Sequence, residues 1–209
     1  TDVSAVDLFD WPEPEKYIDP EECRKVVEEI PDGYAVLGVV WSAHFQDACA
    51  AFGMEDALVK MFIAPDLFKA VIDKITDFYL RANEIFYKAT QGKLHAVLIG
   101  NDFGSQQGLM VGPEQLRQFV FDGTRRLVEQ AKRYGLKVIH HSCGSIYDII
   151  PDLIEMGVDA IHPIQALASK MEPQRLKNDF DGRASFCGGV DAQYLMVNGT
   201  PDEVKAKAI

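Results

Sequence analysis

The chain has 209 residues, 47% hydrophobic and 25% charged, the make-up of an ordinary globular domain long enough to bury a core without staples. Its formal net charge of −11 repels phosphate backbones and anionic lipid, so no nucleic-acid partner is expected. No apolar run nears the roughly 20 residues of a membrane span, the acidic start TDVSAVDLFDWPEPE is unlike a secretion signal, and four cysteines are too few for a disulfide scaffold, so a cytoplasmic chain with reduced thiols and no membrane partner is expected.

Residues 1–33, with the run WPEPEKYIDPEE, read as an irregular N-terminal arm. The apolar segment Tyr34–Trp41 predicts a buried strand, followed by the polar groups Ser42, His44 and Gln46 and then a helical stretch. A longer helix is predicted after Pro65, where Phe68, Val71, Ile72, Ile75, Phe78, Tyr79, Ala82, Ile85 and Phe86 recur at three-four spacing before Gly92. His95–Gly100 predicts the second strand, ending in Asn101-Asp102 and the loop Phe103-Gly-Ser-Gln-Gln-Gly108. That loop reads either as part of a substrate pocket or as a plain turn. Pro113 opens one helix that runs to Gly135. Lys137–Cys143 is the third strand, and the helix after it, Ile146–Met156, is kinked or restarted at Pro151. Asp159–Gln165 is the fourth strand, a short helix begins near Pro173, and Arg183–Asp191 is the fifth strand. Thr200-Pro201-Asp202-Glu203 is a capping box that starts a last helix.

Strands rich in Val and Ile alternating with helices predict an α/β protein with a parallel sheet covered on both faces. No GxGxxG follows a strand, and the GGVD at Gly188 is too short for a phosphate loop, so a dinucleotide fold is not supported. Between a doubly wound sheet and a barrel, a (β/α)8 TIM barrel is preferred. It needs eight strands and about 250 residues, so a partial barrel of about five βα units is expected, one catalytic domain over 34–209, with Ile209 falling inside the last helix.

In such a barrel the C-terminal strand ends meet on the face that carries catalysis. The five ends present Trp41 and His44, then Asn101 and Asp102, then His140, His141 and Cys143, then His162 and Gln165, then Cys187 and Asp191. The sharpest local signal is His141-Ser142-Cys143, because residues two apart on a strand share a face and imidazole with thiolate is a donor pair that zinc prefers. Cys187 or Asp102 is a third candidate ligand. Alternatively, Cys143 is a small buried hydrophobe and His141 a hydrogen-bonded core residue.

The segments HHSCGSIYDIIPDLIEMGVDAIHPIQ, FCGGVDAQYLMVNGTPDEV and GNDFGSQQGLMVGPEQLRQFV resemble the uroporphyrinogen decarboxylase superfamily, over nearly the whole chain from Trp11. The resemblance implies a barrel fold and one of two chemistries. The methyltransferase branch uses zinc to move a methyl group between a corrinoid and a thiol such as coenzyme M. Its His-x-Cys zinc motif falls on His141 and Cys143, and its third ligand is a cysteine further toward the C-terminus than this chain reaches. The decarboxylase branch removes acetate carboxyl groups from uroporphyrinogen without a cofactor, by arginines and an aspartate of an N-terminal segment that has no counterpart here.

The expected function is therefore zinc-dependent methyl transfer between a methylcorrinoid, or a methylated substrate, and a thiol, with a small-molecule substrate and a corrinoid protein as partner. The alternatives are cofactor-free porphyrinogen decarboxylation, with Asp102 or Asp191 stabilising a protonated pyrrole, and a non-catalytic binding barrel. Expected metal ligands are His141, Cys143 and Cys187. Asp102 and His140 are expected to be catalytic, and Trp41, His44, Gln106, His162, Gln165 and Asp191 to line the substrate site.

Overall fold

A computed structural model describes residues 2–208. The chain divides into two compact units. The first comprises residues up to Asn101 together with Glu114–Val138, and the second comprises Asp102–Pro113 and Ile139 onward. The first unit takes in the N-terminal residues. They are not an irregular arm: they form α1 (Ala5–Leu8), a 3-10 turn over Pro14–Lys16 and α2 (Pro20–Glu28). The run DPEE looked like a loop because it is rich in Pro and acid, yet those residues also start a helix. The Asp19 carboxylate accepts the Glu21 N–H at 2.9 Å, Pro20 occupies the first turn, and Glu21 and Glu22 face the positive end of the helix dipole.

The first unit continues with β1 (Leu37–Val39), α3 (His44–Phe52), α4 (Met54–Ile63), α5 (Pro65–Ala89), β2 (Ala96–Gly100), α6 (Pro113–Phe119) and α7 (Phe121–Arg133). α5 packs its apolar face against α2, α3, α4 and α7. Phe68, Val71, Ile72, Ile75, Ala82 and Tyr87 are buried along it, and fully burying a side chain such as Ile72 stabilises the fold by about 1.5–3 kcal/mol. α5 is the longest helix and carries charges along its length. No described helix is long and apolar enough to cross a membrane. Two helices expected as continuous are broken. Gly53, at φ 84°, separates α3 from α4. Val120 separates α6 from α7, where its carbonyl turns to the ring of His44.

β3 (Lys137–His141) is shared: Lys137 and Val138 belong to the first unit and the rest to the second. The second unit adds a 3-10 turn over Tyr147–Ile149, α8 (Ile150–Glu155), β4 (Ala160–Ile164), α9 (Pro173–Phe180), β5 (Ser185–Gly188), α10 (Leu195–Asn198) and α11 (Pro201–Ala208). Pro151 lies in the first turn of α8, so it restarts the helix after the 3-10 turn. Thr200 and Glu203 form the expected capping box: the Thr200 N–H donates to Glu203 Oε2 at 2.8 Å, and Thr200 Oγ1 accepts from the Glu203 N–H at 3.4 Å.

The five strands are parallel neighbours in chain order, β1-β2-β3-β4-β5. Within the second unit His140 pairs with Ile161 and His141 with His162, while β4 shifts register against β5 between Ile161 and Ile164, around the cis His162–Pro163 peptide. The central strands bury Val97, Ile99, Val138 and Ile161, as Val/Ile-rich parallel strands should. β1 departs from that expectation. Leu37 and Val39 are 46% and 52% exposed, because a strand at the sheet edge is covered on fewer sides.

Candidate metal centre

At the C-terminal end of β3, alternation along the strand turns His141 and Cys143 to one side. Their side chains meet: the Cys143 sulfur is 3.5 Å from His141 Nε2. The same Nε2 lies 3.3 Å from Asp102 Oδ1, and one ligand atom from each of the three residues lies within 4.8 Å of the others. Across the ladder, His162 Nδ1 stands 3.0 Å from His141 Nδ1. One ring must offer an N–H there and the other a lone pair. If His141 donates Nδ1–H to His162, its Nε2 lone pair is left facing the sulfur and the carboxylate, which is the tautomer of a metal-ligating histidine oriented by a neighbour.

The loops holding these groups are tied to each other by side chain-to-backbone hydrogen bonds. Asp102 Oδ1 accepts the Cys143 N–H at 2.8 Å, and Ser142 Oγ accepts the Phe103 N–H at 2.9 Å. Residues 103–110 fold back as a hairpin, with Ser105 N–H donating to Gly108 O and Met110 N–H to Phe103 O. The hairpin is fastened to both neighbouring loops, by Ser145 N–H to Ser105 O at 2.7 Å and Ser169 N–H to Gln106 O at 3.0 Å. A Cβ at Gly104 would lie 2.7 Å from the Cys143 carbonyl oxygen, and one at Gly144, whose φ is +78°, would lie 2.5 Å from the Gly104 carbonyl carbon. Only glycine allows this approach. Ser142 and Ser145 are positioning residues that sequence reasoning passed over. Their flanking of Cys143 in HSCGS was the available signal.

A nitrogen, a sulfur and a carboxylate oxygen are the donors of tetrahedral zinc sites. Metal–ligand bonds of about 2.0–2.3 Å at tetrahedral angles place neighbouring donor atoms roughly 3.3–3.6 Å apart, and the observed separations are 3.3 and 3.5 Å. These two separations suit zinc, and the carboxylate oxygen and the sulfur lie within 4.8 Å of each other, so the donor set fits the metal. Burial, opposed by Asp102, lowers the His141 pKa, so the His141–Asp102 contact is not an ion pair at neutral pH. Burial and then Asp102 raise the Cys143 thiol pKa. A divalent ion reverses the second effect, because coordination deprotonates a thiol.

The family model described as Uroporphyrinogen decarboxylase (URO-D) matches residues 4–209. The chain belongs to this family. A methyltransferase from Methanosarcina mazei has a similar structure, with a TM-score of 0.70, 20% sequence identity, and coverage of 90% of this chain and 52% of that one. At that identity the likeness speaks to the fold, and the chain spans about half the length of that methyltransferase. No curated protein matches the chain. For a URO-D family member, the parallel sheet in chain order is part of a TIM barrel, and Asp102, Cys143 and Gln165 follow the C-terminal ends of its strands.

The remaining predicted site residues of this URO-D family chain divide between the units. In the second unit Gln106 Nε2 donates to Gln165 Oε1 at 2.7 Å, and the Gln165 side chain offsets part of the rise in the Cys143 thiol pKa. Cys187 is exposed on β5 and stands outside the metal-competent group found among the described residues. Two strand spacings, roughly 10 Å, separate β5 from β3, and Asp102 is placed at the centre where Cys187 was expected. His140 is corrected from a catalytic to a core position. It points to the opposite side of β3 from His141 and stacks beneath Phe103, with centroids 5.7 Å apart and 1% exposure. The Asp191 carboxylate accepts the backbone N–H groups of Gln193, Tyr194 and Leu195, which caps the start of α10.

In the first unit His44 is not a substrate ligand but a core residue, 1% exposed. Its Nε2 faces the Val120 carbonyl at 3.1 Å, and its Nδ1 lies 3.3 Å from Asn101 Nδ2. A neutral ring with Nε2–H donating to Val120 and Nδ1 accepting from Asn101 satisfies both nitrogens. The expected polar end of the second strand is used the same way: Asn101 Oδ1 accepts the Phe45 N–H at 2.8 Å. Trp41, 37% exposed, follows β1 and accepts the Gly100 N–H through its carbonyl at 3.1 Å.

Proposed function

We propose that this URO-D family chain is a zinc-dependent methyltransferase, moving a methyl group from a methylcorrinoid on a partner protein, or from a methylated small molecule, to a thiol. The observation that carries the reading is the meeting of Asp102, His141 and Cys143 at zinc-like donor spacings. Held by these three residues, zinc would keep one position open for the substrate thiol and lower its pKa. The rest is the work of the chain. His162 sets the tautomer of His141, the Cys143 N–H anchors Asp102, and the Gln165 side chain favours the Cys143 thiolate. In the transfer the sulfur lone pair forms the S–CH3 bond while the pair of the breaking bond leaves with the donor, cobalt in the corrinoid case, and the thiol proton passes to solvent.

Metal analysis of the chain purified in metal-free buffer and then dialysed against limiting zinc tests the reading. About one zinc per chain is expected, with loss of at least about tenfold in affinity in Cys143→Ala and in His141→Ala. Retention of full zinc affinity by the double variant would falsify it.

A further inference from the structure

His141 and His162 stand opposite each other in the ladder between β3 and β4. Their Nδ1 atoms are 3.0 Å apart, and the rings lie 5.0 Å apart with a tilt of 47°. His162 is partly exposed, and no group among the described residues hydrogen-bonds its Nε2. A neutral imidazole has one N–H and one lone pair. The Nδ1 contact therefore couples the rings: one Nδ1 donates, the other accepts, and each Nε2 takes the opposite role to the Nδ1 of its own ring. We propose that the two histidines form a tautomeric relay, in which metal loading at His141 reverses His162 from a hydrogen-bond acceptor at Nε2 to a donor. The inference rests on the zinc reading for the loaded state, and on the geometry alone for the metal-free state.

In the metal-free chain two groups compete for His141 Nε2. Asp102 Oδ1 lies 3.3 Å away and accepts, and the Cys143 sulfur lies 3.5 Å away with an S–H that donates weakly. A hydrogen bond to a carboxylate is charge-assisted and roughly twice as strong as a neutral one, so the His141 proton sits on Nε2. Its Nδ1 then accepts from His162 Nδ1–H, and His162 Nε2 is left with a lone pair. A metal ligand needs the His141 Nε2 lone pair instead. The His141 Nε2 proton then leaves to solvent, the His162 Nδ1 proton crosses to His141 Nδ1, and His162 Nε2 takes one proton from solvent. Each ring ends neutral with one proton, as it began, and the pair neither gains nor loses one. The outward nitrogen of His162 thereby favours an acceptor, such as a carbonyl or ether oxygen, in the loaded chain, and a donor, such as a hydroxyl group, in the metal-free one.

The test is nitrogen NMR of histidine-labelled chain at about pH 8, where an ordinary imidazole is neutral. It reads each ring nitrogen as N–H or lone pair. Without metal, His141 should carry its proton on Nε2 and His162 on Nδ1. With equimolar zinc, His141 should carry it on Nδ1 and His162 on Nε2. Zinc affinity gives a second measure. His162→Asn keeps an acceptor bonded to Cγ, where Nδ1 stood, and should hold zinc within about threefold of the parent, whereas His162→Phe should lose at least about tenfold. A role in packing alone predicts the opposite order, because phenylalanine keeps the ring. One unchanged His162 tautomer with and without zinc overturns the inference, as does a His162→Phe chain that holds zinc like the parent. If zinc alters neither His141 Nε2 nor the Cys143 Cβ signal, the metal reading has failed, and the relay is judged on the metal-free chain. There Asp102→Ala removes the acceptor that keeps the His141 proton on Nε2, and His162 should move its proton to Nε2. A His162 tautomer that ignores Asp102→Ala overturns the inference.

Discussion

Burial pushes the imidazole of His44 toward its neutral form, outweighing the carbonyls of Val120 and Ser42 and the more distant Asp47 and Asp73. Its folded pKa therefore lies below the unfolded value of about 6.5. In the window between the two values the unfolded chain binds more protons, so the stability contributed by neutral His44 is complete above about pH 6.5 and is lost as pH falls below it. Burial lowers the His141 pKa in the same direction. Urea unfolding at pH 7.5 and 5.5 is expected to show lower stability at the acidic value. His44→Gln should lose about 2 kcal/mol at pH 7.5, from broken buried hydrogen bonds, and should flatten the pH dependence. A variant with the parent's slope would show that His44 does not titrate with unfolding. At this scale His141 and Cys143 were legible as a pair because strand alternation places residues two apart together. The same alternation turned His140 into the core, and Asp102, one of two candidate third ligands, could not be ranked above Cys187 without knowing the strand separation.

Among the elements, the hairpin 103–110 and the loop after β3 determine whether the three donor atoms stay together. Asp102 leads into the hairpin and Cys143 sits in the loop, and the two backbones touch at Gly104 and Gly144. In Gly144→Ala a methyl group would meet the Gly104 carbonyl carbon at 2.5 Å on a backbone at φ +78°. The loops must part, drawing Asp102 from the Cys143 N–H. Zinc affinity is expected to fall at least about tenfold, with a stability loss of about 2 kcal/mol. Gly108 lies in the same hairpin with nothing within 4 Å of an added Cβ, so Gly108→Ala should hold zinc like the parent. Isothermal titration of both variants decides this, and equal affinities would mean that the loop contact does not position the carboxylate. The hairpin was readable only as a Gly-rich loop, since closeness between separate backbones leaves no trace in local periodicity. Elements with strong local signals fared better. The Val/Ile runs located all five strands, and Pro65, Pro173 and the Thr200 capping box located helix starts. α2 was missed because Asp19-Pro20 signals both a turn and a helix cap, and the burial that decides between them is not local.

For the molecule as a whole, the sequence pattern foretold a parallel α/β architecture but not its division into two units, which depends on contacts between distant segments. The backbone passes between the units at 101–102, 113–114 and 138–139, and β3 contributes residues to both. Neither unit is a single stretch of chain, and a single cooperative transition is expected. The two tryptophans, Trp11 and Trp41, both belong to the first unit, whereas Asp102, His141 and Cys143 belong to the second. Tryptophan fluorescence thus reports unfolding of the first unit, and the proposed zinc ligands belong to the second. Zinc held only by the native state, at about a hundred times its Kd, stabilises that state by about 2.7 kcal/mol. With a urea m-value of about 2 kcal/mol/M, the fluorescence midpoint should rise by roughly 1.4 M. Cys143→Ala should abolish the rise. If zinc moves the far-ultraviolet circular dichroism midpoint and leaves the tryptophan midpoint in place, the units unfold independently, and the stabilising effect of the metal ends at the middle of β3.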